Sequence, residues 1–144
     1  MIARRTANRA FTLIELIAVI VVLGVLAGVA LPRYFDYAAQ ARESAVKGTL
    51  GGVRAGVANF YADQAVQGSA SYPTLTELRT IGTVMQEPLP ENPYNNSAEV
   101  RNADGEWNST IGAAQAVSGT EGWAYDESSG RFWANSNQAG ENSW

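Results

Sequence analysis

Arg9-Ala10-Phe11-Thr12-Leu13-Ile14-Glu15-Leu16 opens a run in which every residue from Phe11 to Leu31 is apolar or glycine, apart from Thr12 and Glu15. At about 1.5 Å rise per residue, a helix over that run matches the thickness of a bilayer's hydrocarbon core. The stretch reads as a membrane helix with one carboxylate near its start. An ionisable group placed there is costly and marks a functional position by default. Two simpler readings compete. An ordinary secretory signal would use the small residues Gly28 and Ala30 for cleavage, but its apolar region is normally only ~7–15 residues and has no place for Glu15. A plain membrane anchor has no use for Glu15 either.

The basic leader, the Phe11-Thr12-Leu13-Ile14-Glu15 motif and the unbroken apolar helix together resemble the class III signal peptide of type IV prepilins and type II secretion pseudopilins. The resemblance rests on the first quarter of the chain. It implies cleavage between Ala10 and Phe11 by a prepilin peptidase, and N-methylation of Phe11. It also implies that Glu15 pairs with the free α-amino group of a neighbouring subunit's Phe11, which would set the axial register of a filament. The family usually carries glycine before the scissile bond; Ala10 stands there in this chain. The partners implied are copies of the chain and related pilins or pseudopilins in a helical filament, the prepilin peptidase, an inner-membrane assembly platform and the membrane.

Composition narrows the alternatives. At 144 residues and 15.4 kDa the chain suits one domain plus the anchor. Lys and Arg number 10 against 14 Asp and Glu, a net charge of −4. Removing Arg4, Arg5 and Arg9 with the leader leaves 7 basic and 14 acidic residues, a net charge of −7. An acidic domain of that kind argues against a nucleic-acid partner, which demands clustered Lys and Arg. The same three arginines, placed before the apolar run, keep the N-terminus cytoplasmic and direct the C-terminal domain outward, into the periplasm of a bacterial cell. Cysteine is absent, so there is neither a disulfide nor a residue for lipoprotein acylation. Histidine is absent too, which removes the commonest general base and metal ligand. An enzyme is therefore not expected.

Five segments follow from the pattern. Residues 1–10 form the leader, 11–32 the transmembrane and assembly helix, and 33–66 its amphipathic continuation. Residues 67–98 form a loop region with a short helix, and 99–144 a β-rich end. Within the apolar helix, Gly24 and Gly28 are spaced as small-xxx-small, a face that lets helices approach closely in lipid. Pro32 should kink or locally melt the helix between Gly28 and itself. Beyond it, Val46, Leu50, Val53, Val57 and Phe60 recur at three- and four-residue steps on one face. Gly48, Gly52 and Gly56 make a second stripe; each costs about 1 kcal/mol relative to Ala in a helix, so close approach of a sheet or another helix is expected there. Arg42, Glu43, Lys47 and Arg54 fall on the remaining, solvated or inter-subunit surface. Gly68–Ser71 reads as a loop.

Thr74 with Glu77 is a capping box that predicts a helix from Leu75 to about Ile81, stopped at Gly82. Pro88, Pro90 and Pro93 keep 86–96 extended or turning. The Tyr72-Pro73-Thr74 and Leu89–Tyr94 segments are similar to the loop of major pseudopilins. A strand is predicted at Glu99–Arg101, a turn at 102–105, and a hairpin pairs Trp123–Asp126 with Arg131–Asn135 across Glu127–Gly130. Residues 111–118 fit a loop or short strand.

The predicted fold is α+β and pilin-like: one long N-terminal helix, transmembrane in its first half and amphipathic in its second, packed on a small antiparallel sheet. The assembly residues are Glu15, Gly24, Gly28 and Pro32, and the processing residues Ala10 and Phe11. No cofactor is expected, although two acidic groups, Glu99, Asp104 and Glu106, and Asp126 and Glu127, invite comparison with the calcium-holding C-terminal loops of some major pseudopilins. Solvated turn residues are the alternative reading. Trp107, Trp123, Tyr125, Phe132 and Trp133 either form a sugar- or surface-binding patch or cover the helix. The function expected is structural, as a pseudopilin-like or type IV pilin subunit. The alternative is a membrane-anchored periplasmic binding module that never polymerises.

Overall fold

The computed structural model describes residues 11–108, 113–114, 120–136 and 144. Its elements are α1 (Leu13–Val66), α2 (Leu75–Arg79), β1 (Val100–Asn102), β2 (Trp107–Asn108), β3 (Ala113–Ala114), β4 (Trp123–Asp126) and β5 (Arg131–Ala134). Two compact units are present, Met1–Gln40 and Ala41–Trp144.

In the first unit, every described side chain from Phe11 to Tyr37 is exposed. Of the kink or local melting expected between Gly28 and Pro32, the melting does not occur, because α1 runs through Pro32 as helix. One missing hydrogen bond, at a cost of about 3 kcal/mol, is a small perturbation in a ladder that continues on both sides.

In the second unit, Val46, Leu50, Val53 and Val57 of α1 are buried and packed in one cluster with Leu78, Val100, Trp123, Tyr125, Phe132 and Ala134. Phe60, predicted on the same stripe, is only half-buried. The glycine stripe behaves differently from expectation. A Cβ at Gly48 or Gly52 would meet nothing within 4 Å, whereas one at Gly56 would touch Met85 Sδ and the Val84 carbonyl at 3.0 Å. The segment after α2, not the sheet, makes the one close approach.

The capping box closes as predicted. Thr74 Oγ1 accepts from the Glu77 amide at 3.3 Å, and Glu77 Oε2 accepts from the Thr74 amide at 2.8 Å. The helix is shorter than predicted and ends at Arg79, with the Thr80 amide donating back to Thr76 and Glu77. The proline segment is neither helix nor strand, and Asn92 fastens it. Asn92 is fully buried, its Nδ2 donates to the Gly122 carbonyl at 2.9 Å, and its Oδ1 accepts from the Tyr94 amide at 3.0 Å.

The principal sheet has the order β1-β4-β5. The hairpin is as predicted, antiparallel with Trp123 opposite Ala134 and Tyr125 opposite Phe132. Gly130 closes its turn at φ +68°, a conformation in which a side chain would be strained. The sheet is nevertheless mixed rather than antiparallel, because β1 pairs parallel with β4. A parallel pair needs a crossover of a dozen or more residues, and residues 103–122 supply one that contains the separate β2-β3 ribbon.

Both faces of β4 and β5 are covered. Trp123, Tyr125, Phe132 and Ala134 join the α1 core, and Ala124 and Trp133 cluster with Ala103 on the other side. Buried polar tips find carbonyls: Trp123 Nε1 donates to Pro90 at 2.9 Å and Tyr125 Oη to Pro73 at 2.8 Å. Arginines occupy the two sheet edges. On β1 the Glu99 carbonyl and Ala103 amide bond β4, so the Val100 carbonyl faces outward. There it accepts from the Arg79 guanidinium. Arg54 Nε donates to the Phe132 carbonyl of β5 at 3.0 Å, and its Nη2 donates to the Trp144 carbonyl. Arg54, assigned from sequence to a solvated face, thus ties α1 to the end strand.

Among the described glycines, Gly122 marks the tightest crossing, since a Cβ there would lie 1.8 Å from the Ser97 carbonyl oxygen. Gly122→Ala should lower stability by about 3 kcal/mol, as backbone must move to admit the methyl group. Gly48→Ala, where the added methyl meets nothing, should raise it by up to about 1 kcal/mol. Denaturant unfolding of the detergent-solubilised chain, followed by tryptophan fluorescence, separates the two.

Candidate functional site

Glu15 lies in the first turn of α1, and Thr12 immediately precedes that helix. Glu15 Oε2 accepts from the Thr12 amide at 2.8 Å and from Thr12 Oγ1 at 2.9 Å, while the Glu15 amide donates to Thr12 Oγ1 at 3.3 Å. The pair is a second capping box, identical in spacing to Thr74 and Glu77. A carboxylate in this turn also sits at the positive end of the helix dipole. Thr12 is the residue missed in the sequence, although the Thr-x-x-Glu spacing was there to be read. Glu15 therefore has a polar partner within its own chain.

From Leu16 to Leu31 every side chain is apolar or glycine, and all are exposed. Phe11 is 89% exposed, and α1 is the one described helix long and apolar enough to cross a membrane. A Cβ at Gly24 or Gly28 would meet nothing within 4 Å, so that face is open. Ala10 and the rest of the leader lie outside the described residues.

The acidic residues of the second unit are spoken for separately. Glu99 faces Arg79 at 3.6 Å, and both are exposed. Glu106 makes a two-pronged pair with Arg101, at 2.6 and 2.7 Å. Asp104 Oδ1 accepts from the Glu127 amide at 2.8 Å, and Glu127 Oε1 accepts from the Leu75 amide at 2.9 Å, joining the hairpin turn to the start of α2. Asp126 accepts from the amides and hydroxyls of Ser128 and Ser129. Among the described residues, no three acidic side chains converge as they would around a metal ion. Of the aromatic residues, Trp123, Tyr125, Phe132 and Trp133 are buried in the core, which leaves no binding patch among them; the Trp107 side chain lies outside the described residues.

Ionisation follows these contacts. The Arg101 hydrogen bond holds the Glu106 carboxyl below the usual carboxylate range, against its partial burial. Burial alone would raise Asp126, but the bonds from Ser128 and Ser129 outweigh it and hold the group low. Glu77 is lowered by the Thr74 amide and hydroxyl. Burial pushes the Tyr125 hydroxyl up, so it stays protonated and donates to Pro73.

The family described as the prokaryotic N-terminal methylation motif matches residues 5–31, the segment that carries Phe11, Thr12 and Glu15. Among characterised proteins, the fimbrial protein EcpC of Eikenella corrodens is 40% identical over 62 residues, which is 43% of this chain and 40% of that protein. The type IV major pilin protein PilE of Neisseria gonorrhoeae is 41% identical over 61 residues, 42% of this chain and 36% of its own length. The type IV major alpha-pilin of Moraxella bovis is 48% identical over 44 residues, covering 31% and 28%. The chain thus aligns with two fifths or less of the length of these relatives. No solved structure matches. The N-terminal segment thus carries the prokaryotic N-terminal methylation motif and is similar to the corresponding part of type IV pilins and fimbrial proteins.

The lowered carboxylates give the second unit a defined acid response. Each ionises more readily folded than unfolded, so its contribution is complete above the ordinary carboxylate range, near pH 4, and is lost as pH falls through the lower folded value. Unfolding free energy measured from pH 6 to pH 3 should decline, and Glu106→Gln should flatten part of that decline by about 1 kcal/mol or less, as suits a partly exposed pair.

Proposed function

We propose that this chain is the structural subunit of a type IV pilus-like filament, made as a precursor, cut between Ala10 and Phe11 by a prepilin peptidase, methylated on Phe11, and assembled through its N-terminal helix. The observation that carries the reading is a single carboxylate, Glu15, held in the first turn of a helix whose next sixteen residues, Leu16–Leu31, are all apolar or glycine and exposed. A lipid anchor needs no such group. A subunit that must be drawn from lipid into one register with its neighbours does, since a charge in low dielectric selects the one position where it is paired. The intrachain bonds to Thr12 hold Glu15 while the subunit waits in the membrane. They can be exchanged for a neighbour's α-amino group on assembly, because an ammonium is the stronger partner for a carboxylate.

The names of the relatives, pilins and fimbrial proteins, favour a pilus over a secretion pseudopilus. Before assembly the second unit lies on the periplasmic side of the bacterial inner membrane.

Intact mass and N-terminal sequencing of the chain extracted from membranes should give a mature protein beginning with methylated Phe11. Glu15→Ala should still be cleaved and membrane-bound but absent from sheared filaments. A chain beginning at Met1 in cells with an active prepilin peptidase would contradict the reading. Full function of the Glu15→Ala protein without filaments would establish the anchored binding module instead.

A further inference from the structure

Aromatic side chains are absent from α1 between Phe11 and Arg33, then three come in four residues: Tyr34, Phe35 and Tyr37. They are 69%, 68% and 62% exposed, and Tyr34 and Phe35 meet edge to face with ring centroids 6.2 Å apart. None of them is part of the hydrophobic core. Arg33 precedes them on the same turn, and Asp36 is the acidic residue between them. At 3.6 residues per turn the three rings span about 160° of the helix circumference, and Arg33 extends this to about 200°. Such a collar does not resemble the narrow stripe of an interhelical contact.

Its axial position is equally specific. Residues 34–37 lie about 4.5–9 Å beyond Leu31, where the apolar run ends. Taking that run as the hydrocarbon span, this is the depth of the polar headgroup layer, about 5–8 Å on each side of the core. Amphipathic rings prefer that layer, and an arginine beside them reaches a phosphate while its stem stays in apolar surroundings. Phe11 and Arg9 give the other end of the run an aromatic and a cation as well.

We propose that Tyr34, Phe35 and Tyr37, with Arg33, form an interfacial belt that binds the phospholipid headgroup layer and fixes the depth of the unassembled subunit in the bilayer. The proposal rests on the reading that the apolar part of α1 enters a membrane, and its test separates the two. Because the chain has no cysteine, single nitroxide labels can be placed by Val22→Cys and Ala39→Cys in the full chain. The chain is then reconstituted in phosphatidylethanolamine–phosphatidylglycerol vesicles, and each label's accessibility to oxygen and to a water-soluble nickel chelate is measured. The label at Val22 should be open to oxygen and closed to nickel. The label at Ala39 should be intermediate and shift toward nickel accessibility when Tyr34→Ser, Phe35→Ser and Tyr37→Ser are combined, with recovery when all three positions carry Trp. An Ala39 label that does not move in the triple serine variant, with Val22 still shielded, overturns the belt and leaves the membrane helix standing. Nickel access at Val22 in the otherwise unaltered chain overturns both.

Discussion

The second unit depends on the burial of one helical stripe, Val46, Leu50, Val53 and Val57, against the aromatic side of a hairpin of two four-residue strands. Each of those side chains contributes about 1.5–3 kcal/mol when withdrawn fully from water. Trp123, Tyr125 and Phe132 supply much of the opposing surface, and stacked rings of Trp123 and Phe132 lie 5.5 Å apart. The sheet is too small to stand by itself, so the helix and the hairpin specify each other. The loop region around α2 is fastened to this contact at three points: Pro73 through the Tyr125 hydroxyl, Pro90 through the Trp123 indole, and Asn92 through the Gly122 carbonyl. A loop region with little regular structure is thereby held by the polar ends of core aromatics.

How much of this was legible in the sequence depended on range. Features set by residues close together were readable: the helical stripe, the Thr74–Glu77 capping box and the hairpin with its Gly130 turn. Each has a spacing rule that local geometry enforces. The parallel pairing of β1 with β4 has no local signature, since a three-residue strand reads alike in either direction. Arg54 was misplaced for a related reason. Its neighbours in sequence mark an exposed face, and its acceptor, the Phe132 carbonyl, is 78 residues away. Gly48 and Gly52 belong to a local pattern of which the described residues of this chain use only Gly56.

The candidate site was legible because its signal is an anomaly. A lone carboxylate in a long apolar run stands out without any knowledge of the fold. What the sequence reading lacked was the partner. Thr12 and Glu15 repeat the spacing recognised at Thr74 and Glu77, yet attention to a charge in lipid obscured an ordinary helix start. The acidic groups carried no spacing rule of their own, and their partners in the structure are amides, hydroxyls and arginines brought together from separate segments.

The arginines at the sheet edges carry a consequence for the proposed filament. An uncovered edge strand is a template for another chain, and in a filament of the proposed kind identical sheets would be held side by side for the life of the fibre. Arg79 on the Val100 carbonyl of β1 and Arg54 on the Phe132 carbonyl of β5 each occupy one acceptor that a foreign strand would use. In the proposed filament this would keep neighbouring sheets from pairing sideways and would leave order in the assembly to the helices. Filaments of such a subunit can lie against one another without fusing.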